Sequence, residues 1–162
     1  VRRGGTVSVS GVYGGMADPM PMMTLFDKQI QLRMGQANVR RWVGDILPLL
    51  CQARVGGLSL EMANPRHQHE YAELKRQKLP DGMILLPGVL DSTNNYVEHP
   101  QVVANRICEA VDAVGDRTRV IASTDCGFGT FAGYEFVAPE VVWAKLAAAA
   151  EGARIATKRL WG

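Results

Sequence analysis

Three positions with reactive side chains recur where an apolar run gives way to polar residues. Glu61 lies in "LSLEMA" (58–63), Asp91 closes "MILLPGVLD" (83–91), and Asp125-Cys126 closes "RVIASTDC" (119–126). A carboxylate and a thiolate brought together are ligands of the kind zinc accepts. Cys126 is followed by glycines at 127, 129 and 133. Taken by itself, a cysteine beside glycines is more simply a small packing residue. His67 and His69, in "NPRHQHEY", are also spaced like ligands, although they follow the strand pattern by several residues and more simply begin a helix or contact substrate. Cys51 stands inside a helical stretch with no second ligand type at helical spacing, and reads as a small apolar helix residue.

The elements that must position these residues follow from periodicity. Strands are expected at 58–63, 83–91 and 119–126, alternating with helices at 69–78 and 99–115 and a long helix opened by Pro139. In the second helix Val103, Ile107, Ala110 and Val114 recur at helical spacing. In the third, Val142, Leu146, Ala149, Ala153, Ala156 and Leu160 form one stripe. Strands apolar on both faces and alternating with helices predict an α/β fold with a parallel sheet covered by helices. In such folds the C-terminal strand ends converge on a shared crevice, so Glu61, Asp91 and Asp125-Cys126 are expected at one site.

The preceding part is different in texture. "GGTVSVSG" (4–11) and "IQLRMG" (30–35) predict short strands, and "VYGGMADPMPMMTLFDK" (12–28) an apolar loop in which Met16, Met20, Met22 and Met23 fill gaps in the core. A short helix over "NVRRWV" is expected to stop at Gly44, and a second to start at Asp45, with Pro48 in its first turn and Gly56-Gly57 after its end. The first 44 residues are expected to pack as a short hairpin-like or irregular layer.

Composition narrows the function classes. The chain has 162 residues, 47% hydrophobic and 21% charged, which suits a globular fold with a real core. Its net charge of +2 is spread along the chain, so neither nucleic acid nor an anionic membrane surface is implied as a partner. No run approaches a membrane span and the first residues lack a signal peptide's apolar core, so a cytoplasmic location is expected. Three cysteines without framework spacing predict reduced thiols.

The segments "VGGLSLEMANPRHQHEY" (55–71), "LPGVLDSTNNYVEHP" (86–100), "STDCGFGTFAG" (123–133) and "VWAKLAAAAEGARIATKRLW" (142–161) together resemble the C-terminal end of the cobalamin-independent methionine synthase family. The resemblance covers residues 45–162. It implies the last three βα units of a (βα)8 barrel, a zinc cofactor and a folate methyl donor. It also implies small-molecule partners, a thiol such as homocysteine and the methyl donor. That family binds zinc through a His-x-Cys pair, a Glu on the next strand and a Cys in a D-C-G turn. Glu61 matches the Glu and Cys126 the last Cys, so both are implied metal ligands, and Asp91 matches an aspartate near the acceptor pocket, implying a catalytic role. As a residue type, Asp91 equally suits a helix cap or a hydrogen-bonding loop residue. A methyl group on folate N5 is a poor electrophile, and coordination of the acceptor thiol to zinc supplies the thiolate the reaction needs.

Two departures from the family pattern stand out. Methionine synthases proper carry a His two positions after the aspartate, where this chain has Thr93, which leaves open relatives that alkylate another thiol, such as coenzyme M with an epoxide. Residues 30–50 contain no His and no Cys, so the His-x-Cys pair is absent upstream of Glu61 and the chain carries half of the zinc site. Three βα units also leave parallel edges open to pairing with a second copy.

Residues 1–50, through "RRGGTVSVSGVYGG" and "LRMGQANVRRWVGDILPLL", resemble the nucleotide-domain end of zinc-type medium-chain alcohol and formaldehyde dehydrogenases. Both families can supply "DILPLL", so a chimeric or misassembled reading frame joined at 45–50 is expected, with a dehydrogenase-like fragment at 1–44 and a methionine-synthase-like part at 45–162. The front part lacks the G-x-G-x-x-G turn and every catalytic zinc ligand of a dehydrogenase. The readings that compete are therefore a thiol methyl- or alkyltransferase, a dehydrogenase remnant and a non-catalytic α/β fragment.

Overall fold

A computed structural model describes residues 1–10, 20–35, 39–129 and 136–162. The chain divides into two compact units, Val1–Arg41 and Trp42–Gly162.

In the first unit β1 (Thr6–Ser10) and β2 (Gln31–Gly35) pair in parallel, from Thr6 opposite Gln31 to Ser10 opposite Gly35. This corrects the hairpin-like expectation. A parallel pair needs a crossover, and the connection contains α1 (Met22–Asp27) where a loop was expected. Met22 and Met23 are exposed on that helix, so they do not fill a core. Gly11 to Pro19, with Met16, lie outside the described residues. Gly4 adopts φ +72° and donates its N–H to Lys28 O, and Arg3 ion-pairs with Asp27, which ties the start of β1 to the end of α1.

α2 spans Val39–Leu50 without a break at Gly44. A single internal glycine costs a helix only about 1 kcal/mol relative to alanine, and burial of Leu47 in the core outweighs it. Asp45 is therefore a mid-helix residue, and Pro48 lies in the helix interior. The helix ends at Leu50, and Cys51, expected inside it, follows in a turn and packs half-buried against the core.

The second unit alternates β3 (Gly57–Leu60), α3 (Glu70–Arg76), β4 (Ile84–Leu90), α4 (Pro100–Val114), a 3-10 turn (Arg117–Arg119), β5 (Ser123–Thr124) and α5 (Pro139–Trp161). Its three strands are parallel in the order β3-β4-β5, which makes the protein mixed α/β with parallel sheets; the described strands do not close a barrel. The central strand β4 is buried on both faces, with Leu85, Val89 and Leu90 fully enclosed, as its continuous apolar run predicts. Leu47, Leu58, Met62, Tyr71, Leu74, Leu85 and Ala110 build one core cluster, and Val89, Leu90, Val103, Ala104, Ile107 and Ala156 another.

Two strands are shorter than expected. β3 stops at Leu60 because the next backbone N–H groups turn to the side chain of Asp125 instead of a neighbouring strand. β5 keeps only Ser123–Thr124 after an isolated bridge of Val120 to Leu85, and its register against β4 shifts between Gly88 and Leu90. His99 caps α4 by accepting the Gln101 N–H, Pro100 opens the helix, and Gly115 closes it at φ +78°.

α5 packs along α4 and buries Lys145, Ala148, Gly152 and Ala156; of the expected stripe, Ala149, Ala153, Ala156 and Leu160 pack against the core while Leu146 is exposed. Contact distance decides which residues stand between the two helices. A Cβ on Gly152 would lie 2.5 Å from Val103 Cβ, so small residues face α4 and the larger ones lie to the side.

Candidate functional site

Because β3, β4 and β5 run parallel, the residues following each one emerge at the same end of the sheet: Glu61 after β3, Asp91 after β4, and Asp125 with Cys126 after β5. Asp125 binds this end together. One carboxylate oxygen accepts the N–H groups of Met62 and Ala63, each at 2.8 Å, and the other that of Asn64 at 2.8 Å. The buried carboxylate thus satisfies three donors that a terminated strand would orphan. Gly88 permits the approach, since a Cβ there would fall 2.0 Å from Asp125 Oδ1.

Asn64 links the next loop, its Nδ2 donating to Asp91 Oδ2 at 3.2 Å. The other Asp91 oxygen accepts Thr93 N–H at 2.8 Å and the Thr93 hydroxyl at 2.6 Å. Asp91 is buried and shapes its own loop, so the hydrogen-bonding reading of this residue holds in the structure. Beneath the loop, Lys145 is fully buried, donating to Asp91 O at 3.0 Å, to Tyr96 O and to Glu98 Oε2 at 2.9 Å. Glu98 Oε1 in turn accepts the Asp91 N–H at 2.8 Å, and Arg106 lies 3.8 Å from the same oxygen while donating to Val89 O and Ala63 O. This network fixes the backbone that carries Asp91.

The two residues with implied metal roles have separate partners. Cys126 Sγ lies 2.7 Å from the Ser92 hydroxyl, and Glu61, half exposed, lies 3.4 Å from His67 Nε2. His67 Nδ1 is 2.7 Å from Glu70 Oε1, and Glu70 is buried. His69 precedes α3 without a side-chain cap. Among the described residues, no group of three or more His, Cys, Asp and Glu side chains stands together as a metal cradle. The described residues therefore do not fit the zinc set of the methionine synthase family.

Sequence reasoning placed Asp125 at the strand end without its clamp role, and missed Lys145, Glu98, Arg106, Ser92 and Asn64. For Lys145 a signal existed: Lys145, Ala148, Gly152 and Ala156 recur at spacings of three, four and four, a helical stripe of small residues with one lysine in it.

No protein-family model matches the chain. A solved structure, a B12-independent methionine synthase from Shewanella sp. W3-18-1 in complex with selenomethionine, superposes with a TM-score of 0.59 at 25% identity, covering 73% of this chain and 31% of that one. A probable zinc-binding alcohol dehydrogenase of Mycobacterium tuberculosis is 44% identical over 55 residues, 34% of this chain and 14% of that protein. A zinc-type alcohol dehydrogenase-like protein of Bacillus subtilis is 31% identical over 55 residues, 15% of its length. The chain thus spans about a third of the solved neighbour and about a seventh of these dehydrogenases. Over most of its length it is similar to a cobalamin-independent methionine synthase, and over a short stretch to zinc-type alcohol dehydrogenases.

Proposed function

We propose that residues 45–162 correspond to the last three βα units of a methionine-synthase-type barrel and supply the acceptor side of a thiol methyl- or alkyltransfer site. In this reading Glu61 and Cys126 are metal-ligand positions, Asp91 orients the acceptor, and the partners are a small thiol and a methyl donor of the folate class. The supporting observation is the convergence of three parallel strand ends, fastened to one another by Asp125 and Asn64. Asp91, locked by Thr93 and Asn64, presents a fixed carboxylate, and Ser92 holds a hydroxyl against the Cys126 sulfur. Thr93 in place of the family's His favours a thiol other than homocysteine.

The test is elemental analysis of the purified chain and of Cys126→Ser, with assays of methyl transfer from 5-methyltetrahydrofolate to homocysteine and of epoxide addition to coenzyme M. Weak zinc binding that falls with Cys126→Ser, without turnover, is expected, because two ligands fall far short of a complete site. Zinc content unaffected by Cys126→Ser would overturn the assignment. A second reading, a non-catalytic α/β module, draws on the lack of a three-ligand cluster among the described residues, and is distinguished by a wild-type chain that binds no zinc.

A further inference from the structure

We propose that the outer face of α5 pairs with the same face of a second copy of the chain, antiparallel, in a two-fold dimer centred at the level of Gly152. None of the residues involved belongs to the thiol-transfer reading.

Spacing defines the face. Trp143, Ala147, Ala150, Arg154, Thr157 and Trp161 recur at intervals of four, three, four, three and four, the a/d rhythm of a coiled-coil seam, and all six are exposed. At about 100° per residue they fall within roughly 40° of one line along the helix. Lys145, Ala148, Gly152 and Ala156, buried where α5 meets α4, lie on the opposite side. A helix with one side covered ordinarily turns charged and polar residues to water on the other. Here that side carries two tryptophans, 72% and 52% exposed, with alanines between them and Arg154 as the one charged side chain of the seam. Exposed apolar surface gathered into a line marks an interaction site.

The seam is its own complement. Trp143 and Trp161 stand nine residues either side of position 152, Ala147 and Thr157 five, and Ala150 and Arg154 two. Turned end for end, the helix sets Trp143 against Trp161, Ala147 against Thr157 and Ala150 against Arg154 of the second copy. Each aromatic ring gains a ring and each long arginine meets a small residue. The central alanines let the two axes approach to about 8 Å. Charge selects the direction. Arg154 takes Glu151 on its own helix, Nε donating to Oε2 at 3.0 Å. In the antiparallel pair Glu151 of each copy comes level with Ala153 of the other, one residue from its Arg154 and on the same flank, so the four charges alternate in sign around the two-fold axis. A parallel pair would instead set Arg154 against Arg154. Two helices of 23 residues make an interface at the small end of specific ones, which predicts a weak, concentration-dependent dimer.

The test is sedimentation velocity of the full chain from about 1 µM to about 500 µM, the span of weak to moderate affinities, alongside Trp143→Ala, Glu151→Arg, Arg154→Glu and the swap Glu151→Arg/Arg154→Glu. Far-UV spectra matching the parent check the fold of each. A dimer is expected, with Kd raised at least about tenfold by Trp143→Ala and by either single charge reversal, and returned to within about threefold of the parent by the swap. The register is read by oxidising Ala147→Cys/Thr157→Cys, which should yield a disulfide-linked dimer. Neither single cysteine should, because in this register position 147 lies about 15 Å along the axis from its own counterpart, beyond the reach of a disulfide. Equal cross-linking by the single variants would overturn the antiparallel register. A chain that stays monomeric at about 500 µM overturns the proposal. So does a dimer whose affinity none of these substitutions moves, the result expected of pairing through the open strand edges.

Discussion

The carboxylate of Asp125 accepts the backbone N–H of Met62 at 2.8 Å across 63 positions of sequence, and the same group takes the N–H of Ala63 and Asn64. One side chain therefore ends β3, anchors β5 and sets the distance between the loops that carry Glu61 and Cys126. Asp125→Asn keeps the shape but removes the charge and turns one acceptor into a donor facing the Asn64 N–H. Hydrogen bonds to a charged group contribute about 1.5–3 kcal/mol each, so a loss of roughly 2–4 kcal/mol is expected in denaturant unfolding. A change under about 0.5 kcal/mol, the range of ordinary surface substitutions, would show that the clamp carries no weight.

The contact of α4 with α5 gives a second expectation. A methyl group at 152 would meet Val103 Cβ at 2.5 Å and Pro100 O at 2.8 Å, and the latter is backbone that cannot swing away. Gly152→Ala should destabilise by about 1–3 kcal/mol despite alanine's better helix propensity. Val103→Ala in the same chain should relieve the side-chain part of the clash, so the two changes together should cost less than their sum.

How far the sequence discloses this structure depends on the kind of signal. The continuous apolar runs of β4 and the stripe Val103-Ile107-Ala110 report burial directly, and both elements form as periodicity predicts. The placement of Glu61, Asp91 and Cys126 at one end of the sheet follows from parallel order alone. What stays hidden depends on pairing at long range. Nothing local marks Asp125 as the acceptor for residues 62–64, so the strand pattern continues past Leu60 on paper while the backbone leaves the sheet. The partnership of Glu61 with His67 is likewise a matter of how a loop folds back. At Gly44, local propensity was overridden by the burial of Leu47.

Lys145 has no exposed surface, and its ammonium is held by Asp91 O, Tyr96 O and Glu98 Oε2. Removing one partner strands the other as a buried charge, so Lys145→Met should cost about 3–5 kcal/mol. Glu98→Gln added to Lys145→Met should recover part of that loss, since the amide carries no charge to strand. A double-mutant cycle on unfolding free energies reads the coupling directly. Additive effects would mean that the pair is not coupled.

Tyr71 offers the pH-dependent prediction. It is 2% exposed and its hydroxyl has no hydrogen-bond partner among the described residues, while burial, followed by the charge of Glu109, raises its pKa well above the ordinary value of 10. The sign follows from proton linkage. As pH rises past about 10 the unfolded chain releases the phenolic proton and the folded chain keeps it, so the unfolded state binds fewer protons and stability falls with pH. Below that range both states hold the proton and the residue contributes no slope. Tyr71→Phe removes the orphan hydroxyl and leaves the ring in the core, so near pH 7 it should be neutral or stabilising by up to about 1 kcal/mol. Unfolding by denaturant at roughly pH 8 and roughly pH 11 should show the parent losing more stability than Tyr71→Phe over that interval, because the other tyrosines are common to both. Equal losses in the two proteins would mean that Tyr71 titrates in the folded state as it does in the unfolded chain, with its hydroxyl open to water.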